Sequence, residues 1–530
     1  MRAAIRRFVA GSPLRHVGFR AFYLGSIGSA LGYTMQTTIA AWLMATLTPS
    51  ALMVALVQSA STAPALLFGL IAGALADIVD RRRIILVTQI VLVASTLLLG
   101  AATLADGIGP SALLALTFVI GSAFTFYMPA HQASVNELVD RHELARAVAL
   151  SAVAFNVARA AGPAMAGALA AWFGSGVGLV VSGAFFAWMI VALRRWNARE
   201  RPLHGLPETV LSGVISGLRY ARHSPAMRAL ILGNLSFSVC ASAFWALLPT
   251  IARQQLGLGA GGYGLLSAAF GLGAVAGALG MPRLLHAKKL AGAVTLGVIL
   301  WTVAIVLVGL ARDTPLAVVG AGCAGLAWVS VLASLSAGTQ TSLPAWVRAR
   351  GLAVNLVAVQ TSLALGSAIW GALASATDTR TALVASGLAM ILLYLVGKRL
   401  PLAMGSEADV TPGAQLPELA ISTVPDPDDG PVLIQVEYHV DPPQHGEFLG
   451  AVRAVEAVRR RNGANSWRLF RDLGEADRFV ERFIVASWAE YVRLRTRMTV
   501  ADRNLLAGAE AFQRPELPVR VSRLIGVDAE

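Results

Sequence analysis

The sequence predicts an all-α polytopic membrane protein of twelve transmembrane helices in two six-helix halves, followed by a small C-terminal α+β domain. Three observations predict this fold class: 56% hydrophobic against 14% charged residues, a succession of long apolar stretches, and positive charge in every second gap between them. About 20 helical residues, at about 1.5 Å each, cross a hydrocarbon core of about 30 Å. Twelve stretches meet this requirement: 19–46, 51–76, 83–104, 110–130, 147–172, 177–194, 227–251, 261–285, 289–311, 315–338, 350–376 and 380–398.

The distribution of charge predicts the orientation of these helices. Residues 1–400 hold 28 Arg and Lys against 10 Asp and Glu, a net charge of +18, whereas residues 401–530 carry −5. The weakly charged gaps contain Arg253, Arg312 and Arg380, one each. Because cytoplasmic loops carry the excess of Lys and Arg, we expect both termini in the cytoplasm. The basic balance therefore reflects topology, and no nucleic-acid partner is predicted.

The two groups of six stretches share a sequence pattern. Phe19–Gly25 is similar to Met227–Gly233 at an offset of 208, and Gly162 corresponds to Gly366 at an offset of 204. Parallel six-helix halves are typical of transporters that handle substrate between the halves near the midplane. We therefore predict an N-terminal bundle over 1–194, a cytoplasmic connector over 195–226 and a C-terminal bundle over 227–400. The end of the connector is amphipathic and is expected to lie along the inner membrane surface.

The chain changes character after residue 400. Residues 401–430 are rich in Pro, Asp, Ser and Thr and predict a flexible linker. Residues 431–530 predict a cytoplasmic ferredoxin-like domain with the order βαββαβ. Because one face of such a sheet is open, we expect self-association or docking through this domain. Its predicted elements are the strands Val432–Val440, Ser466–Leu473, Arg478–Ser487 and Pro518–Val527 and the helices Gln444–Arg461 and Ala489–Leu506.

A motif lies between the second and third stretches. Gly73 is followed four residues later by Asp77, and Arg81 and Arg82 follow after three more residues. This pattern resembles the loop signature of the major facilitator superfamily. It departs from that signature at positions 78 and 80, where Ile and Asp replace the usual basic residue and Gly.

Further segments are similar to one branch of that superfamily, the transmembrane secretion effectors, which includes the enterobactin exporters. The similarity to this branch extends into the C-terminal domain and therefore covers nearly the whole chain. The C-terminal domain also resembles small antibiotic-biosynthesis monooxygenases. The segments that carry it include Trp42–Met44, Leu47–Ser50, Val57–Ala60, Asn136–Val139, Gly162–Pro163, Ser487–Arg493 and Arg497–Asp502.

The resemblance implies that the loop motif is a gate. Asp77 would accept hydrogen bonds from the start of the eleventh helix, around Gly351–Asn355, and meet its positive dipole end. Arg81 and Arg82 would pair with acidic groups of neighbouring helices or with lipid phosphate, and Glu137 is the candidate acid. Gly73 would allow close helix approach. The alternative is that the arginines only enforce topology.

The fifth stretch carries Gly162, Pro163 and Gly167, which resemble the exporter-associated motif of the family. Proline kinks a helix, and small neighbours permit tight packing that could seal a leak path. Ordinary small-residue packing is the alternative. Arg159 lies in the same stretch and is expected to face a cavity, where it could bind an anionic or catecholate-type substrate. Alternatively, it lies near the cytoplasmic end and snorkels.

Titratable and polar groups within the stretches are few. No Asp or Glu lies in the middle of any stretch, so proton coupling would run through Asp77, Glu137, Arg159 or His131. The mostly apolar cavity wall suits an amphiphilic organic solute. Its candidate substrate contacts, each also explicable as an interhelical hydrogen-bonding group, are Tyr33, Gln36, Asn156, Arg159, Asn234, Trp245 and Gln360.

These patterns predict a secondary active transporter of a bacterial inner membrane. It would export a small amphiphilic organic molecule, such as a siderophore, drug or secondary metabolite, by alternating access with proton antiport. Its partners would be the lipid bilayer and this substrate, and no cofactor or metal is predicted. One alternative is a transporter-like sensor with a regulatory C-terminal domain. Another is a membrane-anchored monooxygenase, for which His439, Asn465, Trp467 and Trp488 are available, although Tyr491 stands where the related branch often has His.

Overall fold

The computed structural model describes residues 12–140, 143–194, 210–400, 402, 404–413 and 425–526. The chain forms two compact units. The first comprises Met1–Leu206, Gly233–Leu335 and Leu356–Arg399, and the second comprises Pro207–Leu232, Ser336–Asn355 and Leu400–Glu530. The second unit therefore groups the C-terminal domain with segments that the sequence analysis assigned to the connector and the C-terminal bundle.

Long helices form the N-terminal half. Most of them begin and end within a few residues of the predicted stretches, because capping residues stand at the ends of the apolar runs. The Ser50 side chain accepts a hydrogen bond from the backbone N–H of Met53, and the Asp80 side chain accepts one from that of Arg82. Pro64, Pro129 and Pro163 lie inside helices. The helices are α1 (Val17–Leu47), α2 (Ala51–Ile78), α3 (Arg81–Leu104), α4 (Pro110–Leu138), α5 (Leu144–Phe173) and α6 (Ser175–Leu193).

The C-terminal half follows a shorter helix, α7 (Val210–His223), which corresponds to the amphipathic part of the predicted connector. Residues 195–209 of that connector lie outside the described residues. Helix α9 contains the predicted eighth and ninth stretches, and they are separated at Lys289, whose φ of 56° interrupts the helical backbone. The remaining helices are α8 (Pro225–Thr250), α9 (Ala260–Leu310), α10 (Thr314–Thr341), α11 (Arg348–Ala376) and α12 (Thr379–Gly397).

Eleven segments of the described chain are long and apolar enough to cross a membrane. Helix α1 is not among them, although its 31 residues exceed the length required and it was predicted as the first of twelve. The reason is the polar middle of α1, where Tyr33, Thr34, Gln36, Thr37 and Thr38 follow closely. Its packing against α5 and α6 gives these groups a protein environment in place of lipid.

The predicted repeat is visible in how α5 and α11 pack. A Cβ added to Gly162 of α5 would overlap Thr34 of α1, and a Cβ added to Gly366 of α11 would overlap Ser242 of α8. Thr34 and Ser242 are themselves separated by 208 residues, the offset found for the first helix of each half. The two halves therefore use corresponding small residues at corresponding helix contacts.

The C-terminal domain has the predicted ferredoxin-like topology. Its four strands form an antiparallel sheet of order β2-β3-β1-β4. Alternate residues of β1 are buried, since helices cover one face of the sheet. The elements are β1 (Val432–His439), α14 (His445–Asn462), β2 (Ser466–Arg471), β3 (Arg478–Val485), α15 (Trp488–Arg497), α16 (Val500–Glu510) and β4 (Arg520–Ile525), preceded by the short helix α13 (Glu407–Val410).

Two predictions for this region were wrong in detail. The single helix Ala489–Leu506 is two helices, because Thr499 and Asp502 form a capping box that begins α16 after an extended residue at Met498. The linker also contains the helical turn α13, which Ser406 and Asp409 cap in the same way. Residues 414–424 of the linker lie outside the described residues.

Candidate gating and substrate-binding sites

Arg81 and Glu137, two residues of the predicted gate, form an ion pair. The Arg81 Nη1 donates to Glu137 Oε1 at 2.6 Å and to the carbonyl oxygen of Ala133 at 3.2 Å. Its Nε donates to the carbonyl oxygen of Ala76 at 3.0 Å, near the C-terminal end of α2. A guanidinium at that end also meets the negative end of the helix dipole. Arg81 thus connects α2, α3 and α4 through one half-buried side chain.

The other members of the loop motif have different surroundings. Arg82 is exposed, and its backbone N donates to Asp80 Oδ1 at 2.9 Å, so that Asp80 caps α3 where the family usually has Gly. The expected close approach at Gly73 is not observed, since a Cβ there would meet nothing within 4 Å. Asp77 lies in the last turn of α2, and its side chain is outside the described atoms. Its partnership with Gly351–Asn355 stays a prediction.

The motif of the fifth stretch makes close contacts on two sides of α5. Gly162 faces α1, and the carbonyl oxygen of Ala158 accepts a hydrogen bond from Thr34 Oγ1 at 3.1 Å on the same side. Gly167 faces α9, where its added Cβ would lie 2.5 Å from the Cα of Gly264. Pro163 lies inside the helix between them. Tight packing is therefore present at both glycines, and a sealing role for it stays a prediction.

Arg159 lies at the middle of α5. The candidate membrane span runs from Arg146 to Phe173, so Arg159 is about 20 Å from either end at the helical rise of about 1.5 Å per residue. This position at mid-span favours the cavity expectation over the snorkelling alternative, and the choice between them stays a prediction. The side chain is exposed in the structure, and its guanidinium lies 6.0 Å from the ring centre of Phe155.

The direction of Arg159 follows from its neighbours on the helix. Ala158 contacts α1, whereas Ala160 contacts Gly271 of α9. At about 100° per residue, Arg159 points between these two contact faces, away from the exposed Val157. Arg159 therefore lies between the faces of α5 that contact α1 and α9, and Asn156 is exposed on the same side. That this side faces a cavity between the halves stays a prediction.

The other predicted cavity residues differ in accessibility. Tyr33 stacks on Phe124 with ring centres 3.7 Å apart, and Gln360 is half-buried. Gln36 and Asn234 are 0% and 1% exposed. In this conformation neither lines an open cavity, which differs from the expectation for both. Among the described residues, the amide N and O of Gln36 have no hydrogen-bond partner.

Trp245 belongs to an aromatic cluster that the sequence did not reveal. Its ring centre lies 4.4 Å from that of Phe270 and 6.2 Å from that of Trp328, in edge-to-face arrangements. Trp245 is the half-buried member, while the others are buried. The members of the cluster come from four different predicted stretches. Because the aromatic residues have no common spacing along the chain, no periodic sequence pattern predicts the cluster. Its members are Phe237, Phe244, Trp245, Phe270, Trp301 and Trp328.

His131 lies in a polar network of the N-terminal half. Its Nε2 lies 2.6 Å from Ser26 Oγ, and its ring stacks on Phe22 at 4.8 Å. Nearby, Gln89 Nε2 donates to Ser29 Oγ at 2.9 Å. Polar and titratable side chains within membrane-spanning helices are costly and are frequently functional. The network joins α1, α3 and α4 close to the Arg81–Glu137 pair.

Among the described residues, one group of side chains has the composition of a metal site. The ligand atoms of His16, Asp140 and Glu143 lie within 4.8 Å of one another. However, Glu143 already pairs with Arg15 at 3.1 Å and with His16 at 2.7 Å. The positive Arg15 would oppose a cation there, so the arrangement is that of an ion-pair cluster.

The residues considered for monooxygenase chemistry do not form a common site. Trp467 Nε1 donates at 2.9 Å to Glu481, which is completely buried and paired with Arg459. Trp488 is buried in the core of the domain, whereas Asn465 is exposed. Their positions are explained by packing and by satisfaction of the buried carboxylate.

Long apolar helices in two related six-helix halves define a membrane transporter of the major facilitator type. The chain belongs to the family described as Transmembrane secretion effector, which it matches over residues 9–530.

Curated relatives and solved structures agree with this family. The chain is 27% identical to the Multidrug efflux pump Tap of Mycolicibacterium fortuitum over 380 residues, covering 68% of this chain and 90% of that protein. It is 26% identical to the Enterobactin exporter EntS of Shigella flexneri over 402 residues, covering 71% and 90%.

Among solved structures, the chain is similar to a bacterial homologue of the human lysosomal transporter Spinster in an inward-facing and occupied conformation. The TM-score is 0.60 at 16% sequence identity, and the match covers 74% of this chain and 98% of that one. The nucleoside transporter NupG gives 0.59 at 12% identity, covering 72% and 98%. These similarities establish the fold. The family and its relatives are transporters and not enzymes, which excludes the monooxygenase alternative.

Proposed function

We propose that this transporter exports a small amphiphilic organic anion from a bacterial cytoplasm by alternating access. The observation that carries the substrate class is Arg159, an exposed cation at the middle of α5, between the helix faces that contact α1 and α9. The proposal is that this side of α5 faces the cavity between the two halves. No Asp or Glu lies in the middle of a described membrane span. A cation within a membrane span is costly unless it meets a partner, and a negatively charged solute supplies one. Siderophores, drugs and secondary metabolites with an acidic or catecholate group fit this description.

The direction of transport is inferred from the relatives. A multidrug efflux pump and an enterobactin exporter share over a quarter of their residues with this chain across most of their length. The small residues at Gly162 and Gly167 favour the same direction, since tight packing of α5 against α1 and α9 would limit leakage during export. The positive-inside pattern favours an inner-membrane location with both termini in the cytoplasm.

Gating is proposed to involve the loop motif. The Arg81–Glu137 pair holds the end of α2 against α4, and Asp77 would contact the start of α11 when the inner side is closed. Such a contact biases an equilibrium between two conformations. Arg82, which is exposed, would contact lipid phosphate or acidic groups in one of these conformations.

Coupling is proposed to be proton antiport. His131 is the candidate carrier, because it is a titratable side chain within the membrane region and its Ser26 contact belongs to a polar network. The aromatic cluster around Trp245 would supply the apolar surface that binds the hydrophobic part of the substrate.

Self-association is proposed to use the open face of the C-terminal sheet. Phe470 of β2 and Leu524 of β4 are 43% and 50% exposed on that face. Apolar side chains on an uncovered sheet favour contact with a second surface. Analytical size-exclusion chromatography of the chain and its Phe470→Lys variant would detect a change in oligomeric state.

Transport into everted membrane vesicles tests the proposed function. Vesicles with the wild-type chain are expected to accumulate acidic amphiphilic compounds, and a protonophore should abolish the accumulation. Arg159→Leu should lose accumulation of anions while the amount of protein in the membrane is unchanged. Equal accumulation by wild-type and Arg159→Leu vesicles would contradict the substrate class, and accumulation insensitive to the protonophore would contradict proton antiport.

A further inference from the structure

We propose that helix α15 of the C-terminal domain binds a partner surface within the same chain, formed by helix α7 and the turn before α11, and that this clasp sets the transport rate. The residues of the clasp are Arg219, Tyr220, Trp346, Glu490 and Arg497, and all belong to the second compact unit. The transport readout of this proposal rests on the proposed function.

The carboxylate of Glu490 is the centre of the clasp. Its Oε1 lies 2.8 Å from Arg497 Nη1 and 3.7 Å from Arg219 Nη1 of α7, and its Oε2 lies 2.8 Å from Arg493 Nε. The Glu490 and Arg497 side chains are only 12% and 7% exposed. Ion pairs removed from water are screened less by salt than surface pairs. One acidic group of the C-terminal domain thus holds a basic group of α7.

Trp346 connects the same arginine to the turn between α10 and α11. The guanidinium carbon of Arg497 lies 4.4 Å from the ring centre of Trp346, within the range of a cation–π contact. Trp346 also contacts Tyr220 of α7 edge-to-face, with ring centres 5.8 Å apart. The Tyr220 hydroxyl donates to the carbonyl oxygen of Ser342 at 3.5 Å, and burial raises the pKa of Tyr220 to about 12. The hydroxyl therefore remains protonated and able to donate.

Helix α7 also contacts the start of α11 directly. A Cβ on Gly217 would lie 2.9 Å from the Cβ of Arg350, so only a small residue allows this approach. Below Trp346, Tyr220 and Met227 form a small apolar core with Leu343 and Val347. The C-terminal domain, α7 and residues 342–350 are therefore held together by charge, by aromatic contact and by apolar burial.

The position of this contact gives it a role in transport. Residues 351–355 are where the family resemblance places the helical partner of Asp77 in the inner gate. A segment clasped at Trp346 and Arg350 cannot change its orientation without moving the C-terminal domain or breaking the clasp. The clasp residues are therefore positioning residues, which act on the gate through the start of α11.

Two pairs of variants test the clasp in the full-length protein. Trp346→Ala removes the ring, whereas Trp346→Phe retains an aromatic face. Arg497→Gln removes the cation, whereas Arg497→Lys retains it. Arg493→Gln is the matched control, because Arg493 pairs with the same carboxylate but contacts neither α7 nor Trp346 in the described contacts. Hydrogen–deuterium exchange of residues 341–355 and initial transport rates at several substrate concentrations are measured for each variant.

We expect faster exchange of residues 341–355 in Trp346→Ala and Arg497→Gln than in wild type. The maximal transport rate should change at least about fivefold with an unaltered KM, which is the size of a typical coupling between sites. The Phe and Lys variants and the Arg493→Gln control should resemble wild type in both measurements.

Three results separate the clasp from the proposed export function. Unchanged exchange in both disruptive variants would show that the contact does not hold the segment, and this would overturn the clasp whatever the substrate. Faster exchange with an unchanged maximal rate would overturn its control of transport. If wild-type vesicles move none of the acidic amphiphiles, the proposed function fails, and the exchange measurement alone then decides whether the clasp exists.

Discussion

The two halves of the membrane region share a packing framework but differ in the chemistry of the side chains on it. Gly162 meets Thr34 in the first half, and Gly366 meets Ser242 in the second. At the same offset of 204 residues, Asn156 corresponds to Gln360 and both are polar. The close helix contacts are repeated because any larger side chain would overlap a neighbouring helix.

The difference lies at Arg159, whose counterpart is Leu363. Arg159 is exposed, whereas Leu363 is 7% exposed. The first half also contains the Ser26–His131 contact, whereas the second contains the aromatic cluster around Trp245. The first half therefore contains a cation and a titratable polar contact, whereas the second half contains a cluster of aromatic side chains.

The largest effect on transport is expected when Arg159 is replaced by leucine, the residue at the corresponding position of the second half. Arg159→Leu should lower export of an acidic substrate by about 10- to 100-fold, because a hydrogen bond to a charged group contributes about 1.5–3 kcal/mol. Vesicle uptake rates measure this loss. Val157→Leu, on the exposed side away from the cavity, is the matched control and should export normally. Normal export by Arg159→Leu would remove the functional difference between the halves.

Because the two halves share a packing framework, substitutions of corresponding glycines are expected to lower the stability of the protein by similar amounts. Gly162→Val and Gly366→Val should each destabilise the protein by about 1–3 kcal/mol, since both introduce atoms into occupied space. Thermal unfolding of detergent-purified protein measures this effect. Gly73→Val is the control, because a Cβ there meets nothing. A loss of stability at one glycine only would show that the repeat does not extend to packing.

The ion pair of the loop motif is confined to the first half. At the repeat offset, Leu285 and Thr341 stand in place of Arg81 and Glu137. A double-mutant cycle with Arg81→Gln and Glu137→Gln should give a coupling free energy of about 0.5–1 kcal/mol in unfolding measurements, as expected of a half-buried pair. Additive effects of the two substitutions would show that the pair contributes no net interaction.

The smallest effect is expected in the aromatic cluster. Trp245→Leu should change the preference among substrates of different hydrophobic size by about two- to tenfold, since an aromatic contact contributes about 0.5–1.5 kcal/mol beyond its burial. Competition between substrates in vesicles measures the preference. Trp301→Leu, at a buried member of the same cluster, should instead lower stability without altering the preference. If both variants changed the substrate preference equally, the proposal that Trp245 contacts substrate in the cavity would be contradicted.

The candidate site could be predicted in part. The pairing of Arg81 with Glu137, which are 56 residues apart, could be predicted because the family resemblance pairs the arginines of the loop motif with acidic groups of neighbouring helices. The helix cap at Asp80 and the capping box at Thr499 use residue types that commonly cap helices. These two helix starts were nevertheless identified from the structure and not from the sequence. The burial of Gln36 and Asn234 could not be predicted, because a polar residue in an apolar helix has the same pattern whether it faces a cavity or a neighbouring helix.

The class of the protein, its membrane helices and its internal repeat could all be predicted from the amino-acid sequence. Crossing a bilayer demands apolar length and internal hydrogen bonding, and both appear as continuous sequence patterns. Three features came from the folded structure: the position of Arg159 between the contact faces of α1 and α9, the meeting of six aromatic residues of the second half, and the contacts of Glu490 and Arg497 with α7 and Trp346. These contacts join residues far apart in the chain, and such distances leave no periodic pattern in the sequence.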